Sequence, residues 1–133
     1  MTEYKNEYYY IGVDVARNII IIKPIGFWQS VDLVPDYLPT IFKGIDEDLQ
    51  ADFKVIYELD EMKSSPAEVR DEIHVQGVLQ ILKRKPSATV VVSPESAIAR
   101  MQVDFIKKSA TDLPAKHVQT REEAIAFLEG REG

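Results

Sequence analysis

Residues 8–23 read YYYIGVDVARNIIIIK, and this segment predicts the first two strands of the fold. Aromatic and branched side chains fill residues 8–15 and residues 19–23, which is typical of β-strands. The link between them, residues 16–18, is so short that the two strands are predicted to pair as an antiparallel hairpin. Because the second strand is apolar on both faces, we expect it to lie inside the sheet.

After Ser30 the hydrophobic period changes to that of an amphipathic helix. The apolar stripe consists of Leu33, Tyr37, Leu38, Ile41, Phe42, Ile45 and Leu49. Pro35 suits the first turn if Asp32 is the N-cap, but Pro39 would then lie inside the helix, where a proline costs about 3 kcal/mol. We therefore expect a kink or a delayed helix start here, followed by a third strand over residues 53–59.

The sequence Ser65-Pro66-Ala67-Glu68 has the pattern of a capping box with proline at the first helical position. In this motif the serine side chain accepts a hydrogen bond from the Glu68 amide, and the glutamate carboxylate accepts one from the Ser65 amide. The pattern predicts a helix that runs to about Lys85. Its inward side chains are predicted to be Val69, Ile73, Leu79 and Leu82.

The rest of the chain continues the alternation of strands and helices. Residues 88–92 and 116–118 are predicted strands. Ser93-Pro94 and a second capping box, Thr120-Arg121-Glu122-Glu123, are predicted helix starts, and Gly130 is the predicted end of the last helix. The order β-β-α-β-α-β-α-β-α predicts an α/β fold, with a mixed sheet of about five strands and four helices in a single domain that spans the chain.

The composition argues against several classes of partner. The formal net charge is −6, whereas nucleic acids and anionic membrane surfaces are met by excess Lys and Arg, so we expect neither. Apolar runs such as residues 19–22 and 124–128 are too short to cross a bilayer. The chain contains no cysteine, which excludes disulfides and thiolate chemistry and fits a reducing cytoplasm.

The sequence contains no recognisable catalytic or metal-binding motif. His74, one helical turn from Asp71, is interpreted as part of a surface ion pair, and His117 as a packed or solvated strand residue. Glu58 and its acidic neighbours are interpreted as solvated ends of elements. Two histidines and scattered carboxylates do not supply the three or four convergent ligands of a zinc or iron site. We therefore expect no enzyme, no cofactor and no metal.

Three features of the chain carry a resemblance to a known family. They are the hairpin-first order, the strand-to-helix turn after Val55-Ile56-Tyr57, and residues 118–128, which read VQTREEAIAFL. Together they resemble STAS domains, the superfamily of anti-sigma-factor antagonists and sulfate-transporter tails, and most of all its SpoIIAA-like branch. The resemblance covers nearly the whole chain. It implies a non-catalytic regulatory module that binds a protein partner or a second copy of itself.

The resemblance also points to a turn that follows the third strand. In signalling STAS proteins this turn is Asp-Ser-Ser-Gly-like, and phosphorylation of a serine in it controls partner binding. The matching stretch here is Lys63-Ser64-Ser65-Pro66, with Lys63 in place of the acidic residue and Pro66 in place of the glycine. Ser65 is assigned to the helix cap, so Ser64 is the freer candidate for phosphorylation, beside a helix N-terminus. The predicted contact surface extends from Lys63 to Glu68.

Gly26-Phe27-Trp28 lies between a strand and a helix, where loop residues are usually polar. Core packing under an aromatic lid explains this sequence, and so does an apolar surface for a partner, a second copy or an apolar ligand. SpoIIAA-like domains are similar in architecture to lipid-carrying CRAL-TRIO domains, which adds a second hypothesis. In it the protein is a small carrier of an apolar or lipid-like ligand beside the helix of residues 31–49, near Tyr37, with Phe27 and Trp28 at the mouth.

Overall fold

Six β-strands form one mixed sheet in the computed structural model, which describes residues 1–92 and 115–132. The strands have the same order in the chain and in the sheet: β1 Thr2–Lys5, β2 Tyr9–Asp14, β3 Ile19–Pro24, β4 Lys54–Glu58, β5 Ala88–Val92 and β6 Ala115–Val118. The β1–β2 and β2–β3 pairs are antiparallel, and β3 to β6 are parallel. The predicted α/β fold with a mixed sheet is confirmed, with one strand more than expected. The helix predicted to start at Ser93-Pro94 lies outside the described residues.

The described helices pack on both faces of this sheet. A 3₁₀ turn precedes the first helix, which ends in a π-helical turn: Val31–Leu33, α1 Tyr37–Lys43 and Gly44–Asp48. The next helical region is continuous and has three parts: α2 Ala67–Val69, the π-helical segment Arg70–Val75, and α3 Gln76–Lys83. The last described helix is α4, Arg121–Glu132.

The core lies on both faces of the sheet, as β3 shows. Ile20 and Ile22 pack on the side of α1 and α3, whereas Ile19 and Ile21 pack on the side of α4 with Leu128. Successive residues of a strand point to opposite faces, so a strand that is apolar at every position is buried on both. The predicted position of β3 inside the sheet is therefore confirmed.

The predicted hairpin is the β2–β3 pair, and β1 extends it on the outer side. Its register runs from Tyr9 opposite Pro24 to Asp14 opposite Ile19. Asn18 makes the tight turn with a φ of +58°, a conformation that asparagine tolerates better than most residues. β1 was not predicted, because its side chains are all exposed and give none of the apolar alternation that marks a half-buried strand.

The first helix starts late, as Pro39 led us to expect. Its first residue is Tyr37, so Pro39 lies in the first turn, where the amide has no partner within the helix and its absence costs little. Asp32, the predicted cap, belongs instead to the preceding 3₁₀ turn. There its amide donates to Ser30 Oγ at 3.2 Å.

The predicted capping box at Ser65 is wrong. Pro66 occupies the N-cap position with an extended ψ of 155°, and the helix begins at Ala67. Because a cap is the residue directly before the first helical one, Ser65 lies one position too early. Ser65 is buried, whereas the prediction included it in an accessible contact surface.

The π-helical segment shifts the buried face of the helix that follows it. Ile73 and Val78, five positions apart, both pack in the core, and Ile81 is buried as well. The period of a regular α-helix predicted Leu79 and Leu82 as inward residues; both pack against this core, but they are only half-buried. A π turn spans five residues instead of four, so it displaces the inward positions that follow.

One of the two hydrogen bonds of the predicted capping box at the start of α4 is confirmed. The Glu123 amide donates to Thr120 Oγ1 at 3.2 Å. The Glu123 carboxylate accepts a hydrogen bond from the Gln119 amide at 3.3 Å, one residue earlier than the motif predicts. The helix continues through Gly130 to Glu132, so the predicted end at Gly130 is wrong. Glycine ends a helix only where the chain turns left-handed, and its identity alone does not impose that turn.

Candidate functional site

A cavity of about 50 Å³ lies between the sheet and the helices α1 and α3. Side chains of β3, β4, β5, α1, α3 and the π-helical segment form its wall, and most of them are apolar. The wall residues that carry a polar side-chain atom are Tyr37, Tyr57 and His74. The cavity is thus a largely apolar space whose wall includes three residues with polar side chains.

Tyr57 enters the cavity from β4, and only 8% of the residue is exposed. Its hydroxyl is buried and has no hydrogen-bond partner within residues 1–92 and 115–132. Burial raises the pKa of this phenol above its usual value, because an apolar surrounding disfavours the phenolate. Tyr57 therefore presents a neutral hydroxyl, which can both donate and accept a hydrogen bond.

His74 enters the cavity from the π-helical segment and is 9% exposed. Its ring stacks on that of Trp28, with 5.2 Å between the centroids and an interplanar angle of 23°. Nε2 is buried, and no described residue forms a hydrogen bond with it. Burial lowers the pKa of His74 to about 4, so the ring is neutral at neutral pH. The interpretation of His74 as a surface residue paired with Asp71 is wrong: Asp71 pairs with Arg70 at 3.0 Å.

We call the Tyr57 hydroxyl and His74 Nε2 the cavity pair. A buried polar atom without a partner costs about 1–3 kcal/mol, and native proteins contain few of them. The residues that carry these two atoms both line the cavity, which marks it as a place where a polar group of a guest molecule would be stabilised. Sequence patterns did not assign either residue to a binding site. Tyr57 was an ordinary strand residue, and the π turn that directs His74 inward has no sequence signature.

The aromatic residues of the Phe27–Trp28 loop lie in different environments. Trp28 is 1% exposed, and its Nε1 donates to the carbonyl oxygens of Tyr8 at 3.0 Å and Ile25 at 3.1 Å. Its ring meets the edge of Tyr37, with 4.8 Å between the centroids. Phe27 is 53% exposed. The structure thus places Tyr37 in the cavity wall, Trp28 in the core behind His74, and Phe27 on the surface.

The loop after β3 is joined to the loop after β4 by backbone hydrogen bonds. The Gly26 amide donates to the Glu61 carbonyl at 2.9 Å, and the Lys63 amide donates to the Gly26 carbonyl at 3.0 Å. Gly26 has a φ of +75°, which glycine adopts without strain. We call residues 26–28 and 61–65 the two-loop junction. It brings the two groups of predicted site residues, Phe27–Trp28 and Lys63–Ser65, to one end of the sheet.

Within the two-loop junction the predicted phosphorylation site is only partly accessible. Lys63 is exposed, Ser64 is half-buried and Ser65 is buried. A kinase must reach the hydroxyl that it modifies, so this arrangement favours Ser64 over Ser65. The other predicted histidine, His117, is exposed on β6.

A second buried polar group lies on the opposite face of the sheet and is fully engaged. Glu58 accepts two hydrogen bonds from Arg121 of α4, from Nε at 2.6 Å and from a terminal nitrogen at 2.7 Å. Arg121 also lies over the ring of Tyr10, 5.0 Å from its centroid. The interpretation of Glu58 as a solvated strand end is therefore wrong. Its hydrogen bonds to the guanidinium raise the pKa of Arg121 further above its usual value.

Residues 1–92 and 115–132 offer neither a candidate metal site nor a candidate membrane span. These residues contain no cluster of three or more histidine or acidic side chains that could hold a metal ion. None of their helices has the length and apolar character needed to cross a bilayer. Comparisons with protein-family models, curated proteins and solved structures find no match for this chain. The resemblance to STAS domains therefore stays a prediction from the sequence.

Proposed function

We propose that the protein is a non-catalytic binding module that holds a small, largely apolar molecule in the cavity between the sheet and helices α1 and α3. The observation that carries this proposal is the cavity pair: two buried polar atoms, without partners among the described residues, in a wall that is otherwise mostly apolar. A few placed polar groups in an apolar concavity are the usual composition of a ligand site.

The chemistry of the wall favours binding over catalysis. A general base works best when its pKa lies near the working pH, and His74, with a pKa of about 4, is a weak base. The described residues of the cavity wall include no carboxylate, lysine or arginine that could form an acid–base pair with it. The absence of cysteine from the sequence supports placing this module in a reducing cytoplasm.

Native mass spectrometry of the protein as purified tests the proposal. We expect an added mass that survives gentle ionisation and is lost on denaturation. The variant Val91→Ile adds one methylene group at a residue of the cavity wall and should reduce the bound fraction. Val90→Ile is the matched control, since Val90 is the preceding residue of β5 and packs on the α4 side. Retention of the same added mass in Val91→Ile, or failure of the protein to bind any small apolar probe, would contradict the proposal.

A second candidate function is supported by the two-loop junction. Phe27 is exposed, and backbone hydrogen bonds of its neighbour Gly26 join this loop to the exposed Lys63 and to Glu61, whose carboxylate pairs with Lys23. A surface with an apolar centre and both signs of charge can complement a copy of itself about a two-fold axis. We propose that this surface forms the contact of a STAS-like module with a second copy of the chain, with Ser64 as the position where phosphorylation would regulate it.

Analytical ultracentrifugation over a range of concentrations tests the second candidate. We expect dimers that Phe27→Ala weakens about tenfold or more, as for the central apolar residue of an interface. Val15→Ala is the control, because Val15 is similarly exposed but lies in the turn after β2. A protein that stays monomeric at every concentration, or dimers that both variants weaken equally, would count against this surface.

A further inference from the structure

The cavity pair restricts the chemistry of the molecule that would occupy the cavity. The Tyr57 hydroxyl is both donor and acceptor, and Nε2 of a neutral histidine is either one or the other, depending on the tautomer. A hydroxyl group on the ligand, which also donates and accepts, can pair with both atoms in either tautomer. A carbonyl oxygen can only accept, so it satisfies both atoms only when both donate.

The cavity wall also restricts the charge of the occupant. Its described side chains are apolar apart from Tyr37, Tyr57 and His74, none of which carries a charge at neutral pH. An ionised ligand would lose its hydration without gaining a counter-charge, and that loss is large in an apolar surrounding. The wall thus selects a neutral molecule.

Water by itself complements only part of the cavity. A buried water molecule needs a cavity of about 10–15 Å³ and two to four polar partners. An engineered apolar cavity of about 150 Å³, in contrast, stays dry and binds benzene. The present cavity of about 50 Å³ lies between these sizes. One water could pair with the cavity pair, but the remaining wall is apolar apart from the Tyr37 hydroxyl and includes the side chains of Ile41 and Ile81. A molecule with one hydroxyl and a short hydrocarbon part complements both regions.

We propose that the cavity is a binding site for a small, neutral alcohol, whose hydroxyl pairs with the Tyr57 hydroxyl and His74 Nε2 and whose hydrocarbon part lies against Ile41 and Ile81. This inference rests on the proposed function and names the ligand class of the same site. Met62 in the wall is flexible and polarisable, so the wall can adapt to chains of slightly different length.

The test uses two probes of similar size, butan-1-ol and 1-chlorobutane, titrated into the intact protein. Amide chemical shifts of the wall residues and the fluorescence of Trp28, which stacks on His74, report binding. We expect butan-1-ol to bind about tenfold or more tightly than 1-chlorobutane, since a hydrogen bond to an otherwise unpaired buried group is worth about that factor. Butylammonium, with a charge in place of the hydroxyl, should not bind measurably.

Tyr57→Phe should reduce the preference for the alcohol to about threefold or less and leave the affinity for 1-chlorobutane unchanged or higher. Tyr9→Phe is the control, because Tyr9 belongs to the same core but the described cavity wall does not include it. Equal affinity for the two probes in the wild type, or a preference that survives both Tyr57→Phe and His74→Phe, overturns the inference and leaves the proposed function intact. If neither neutral probe binds, the proposed function fails with it.

Discussion

Tyr57 and Glu58 are consecutive residues of β4, and they point to opposite faces of the sheet. Both are buried and both carry a polar group. On one face Glu58 is engaged by Arg121 through two hydrogen bonds of 2.6 and 2.7 Å. On the other face the Tyr57 hydroxyl has no partner in the described part of the chain.

The difference between the two faces separates a structural polar group from a candidate binding group. A buried charge with a bidentate partner on a neighbouring element has its hydrogen bonds satisfied within the fold itself. A buried hydroxyl beside a cavity leaves a hydrogen bond to be formed, and folding alone does not form it. Three predictions follow from this contrast, and the measured outcome of each would either weaken or refine the distinction between the two faces.

The largest expected effect is on the pH dependence of stability. An unfolded histidine has a pKa of about 6.5, whereas burial lowers that of His74 to about 4. Between these values the unfolded chain binds a proton that the folded protein does not, so the stability falls as the pH drops from about 6.5 to about 4. The loss approaches about 3 kcal/mol at the lower limit, and urea unfolding at a series of pH values measures it.

His74→Phe serves as the reference for that measurement. The phenyl ring can keep the contact with Trp28 but does not titrate. Other ionisable groups are shared by the two proteins, so the difference between their unfolding free energies isolates His74. A difference that is constant between pH 7 and pH 4 would show that folding does not lower the pKa of His74.

The second effect concerns the engaged face. Arg121→Met leaves Glu58 buried without its cation, and breaking a fully buried ion pair in this way costs about 3–5 kcal/mol. Because the Arg121 side chain is 34% exposed, we expect a smaller loss of unfolding free energy, about 2 kcal/mol. The double variant Glu58→Gln/Arg121→Met should recover part of it. If urea unfolding shows that Arg121→Met loses less than about 0.5 kcal/mol of unfolding free energy, the Glu58–Arg121 pair contributes no more than an exposed salt bridge.

The smallest effect is expected on the cavity face. Tyr57→Phe removes a hydroxyl without a described partner, so the unfolding free energy of the ligand-free protein should stay within about 0.5 kcal/mol or rise slightly. Glu58→Gln, the neighbouring substitution on the other face, should instead destabilise by about 1–2 kcal/mol, because a neutral amide replaces the charged acceptor of two hydrogen bonds. A loss of more than about 1 kcal/mol in Tyr57→Phe would show that the hydroxyl is already paired.

Several elements of the fold could be predicted because their signals are local. The hairpin follows from two apolar runs separated by a short link, and the delayed start of α1 follows from Pro39. Thr120 caps α4 as its motif indicates. Ser65 shows the limit of this approach. Its motif was equally good, but the chain enters the helix through an extended Pro66, and Ser65 is buried.

The candidate site was less predictable than the fold. Tyr37 was expected beside an apolar ligand, and it does line the cavity. Tyr57 and His74 were not predicted to line a ligand site, because their inward positions depend on packing and on the π-helical segment. Trp28 was placed at a mouth on the basis of its loop position, but hydrogen bonds to two backbone carbonyls hold it in the core.

The α/β class, the buried position of β3 and the lack of cysteine could all be read from the amino-acid sequence. Each of these depends on residue type and on spacing along the chain, which are local properties. Which buried polar atoms have partners depends instead on how the elements pack in three dimensions. Glu58 and Arg121 are 63 positions apart, and Tyr57 and His74 line one cavity from different elements. Such pairings depend on distances in space, which no local pattern records.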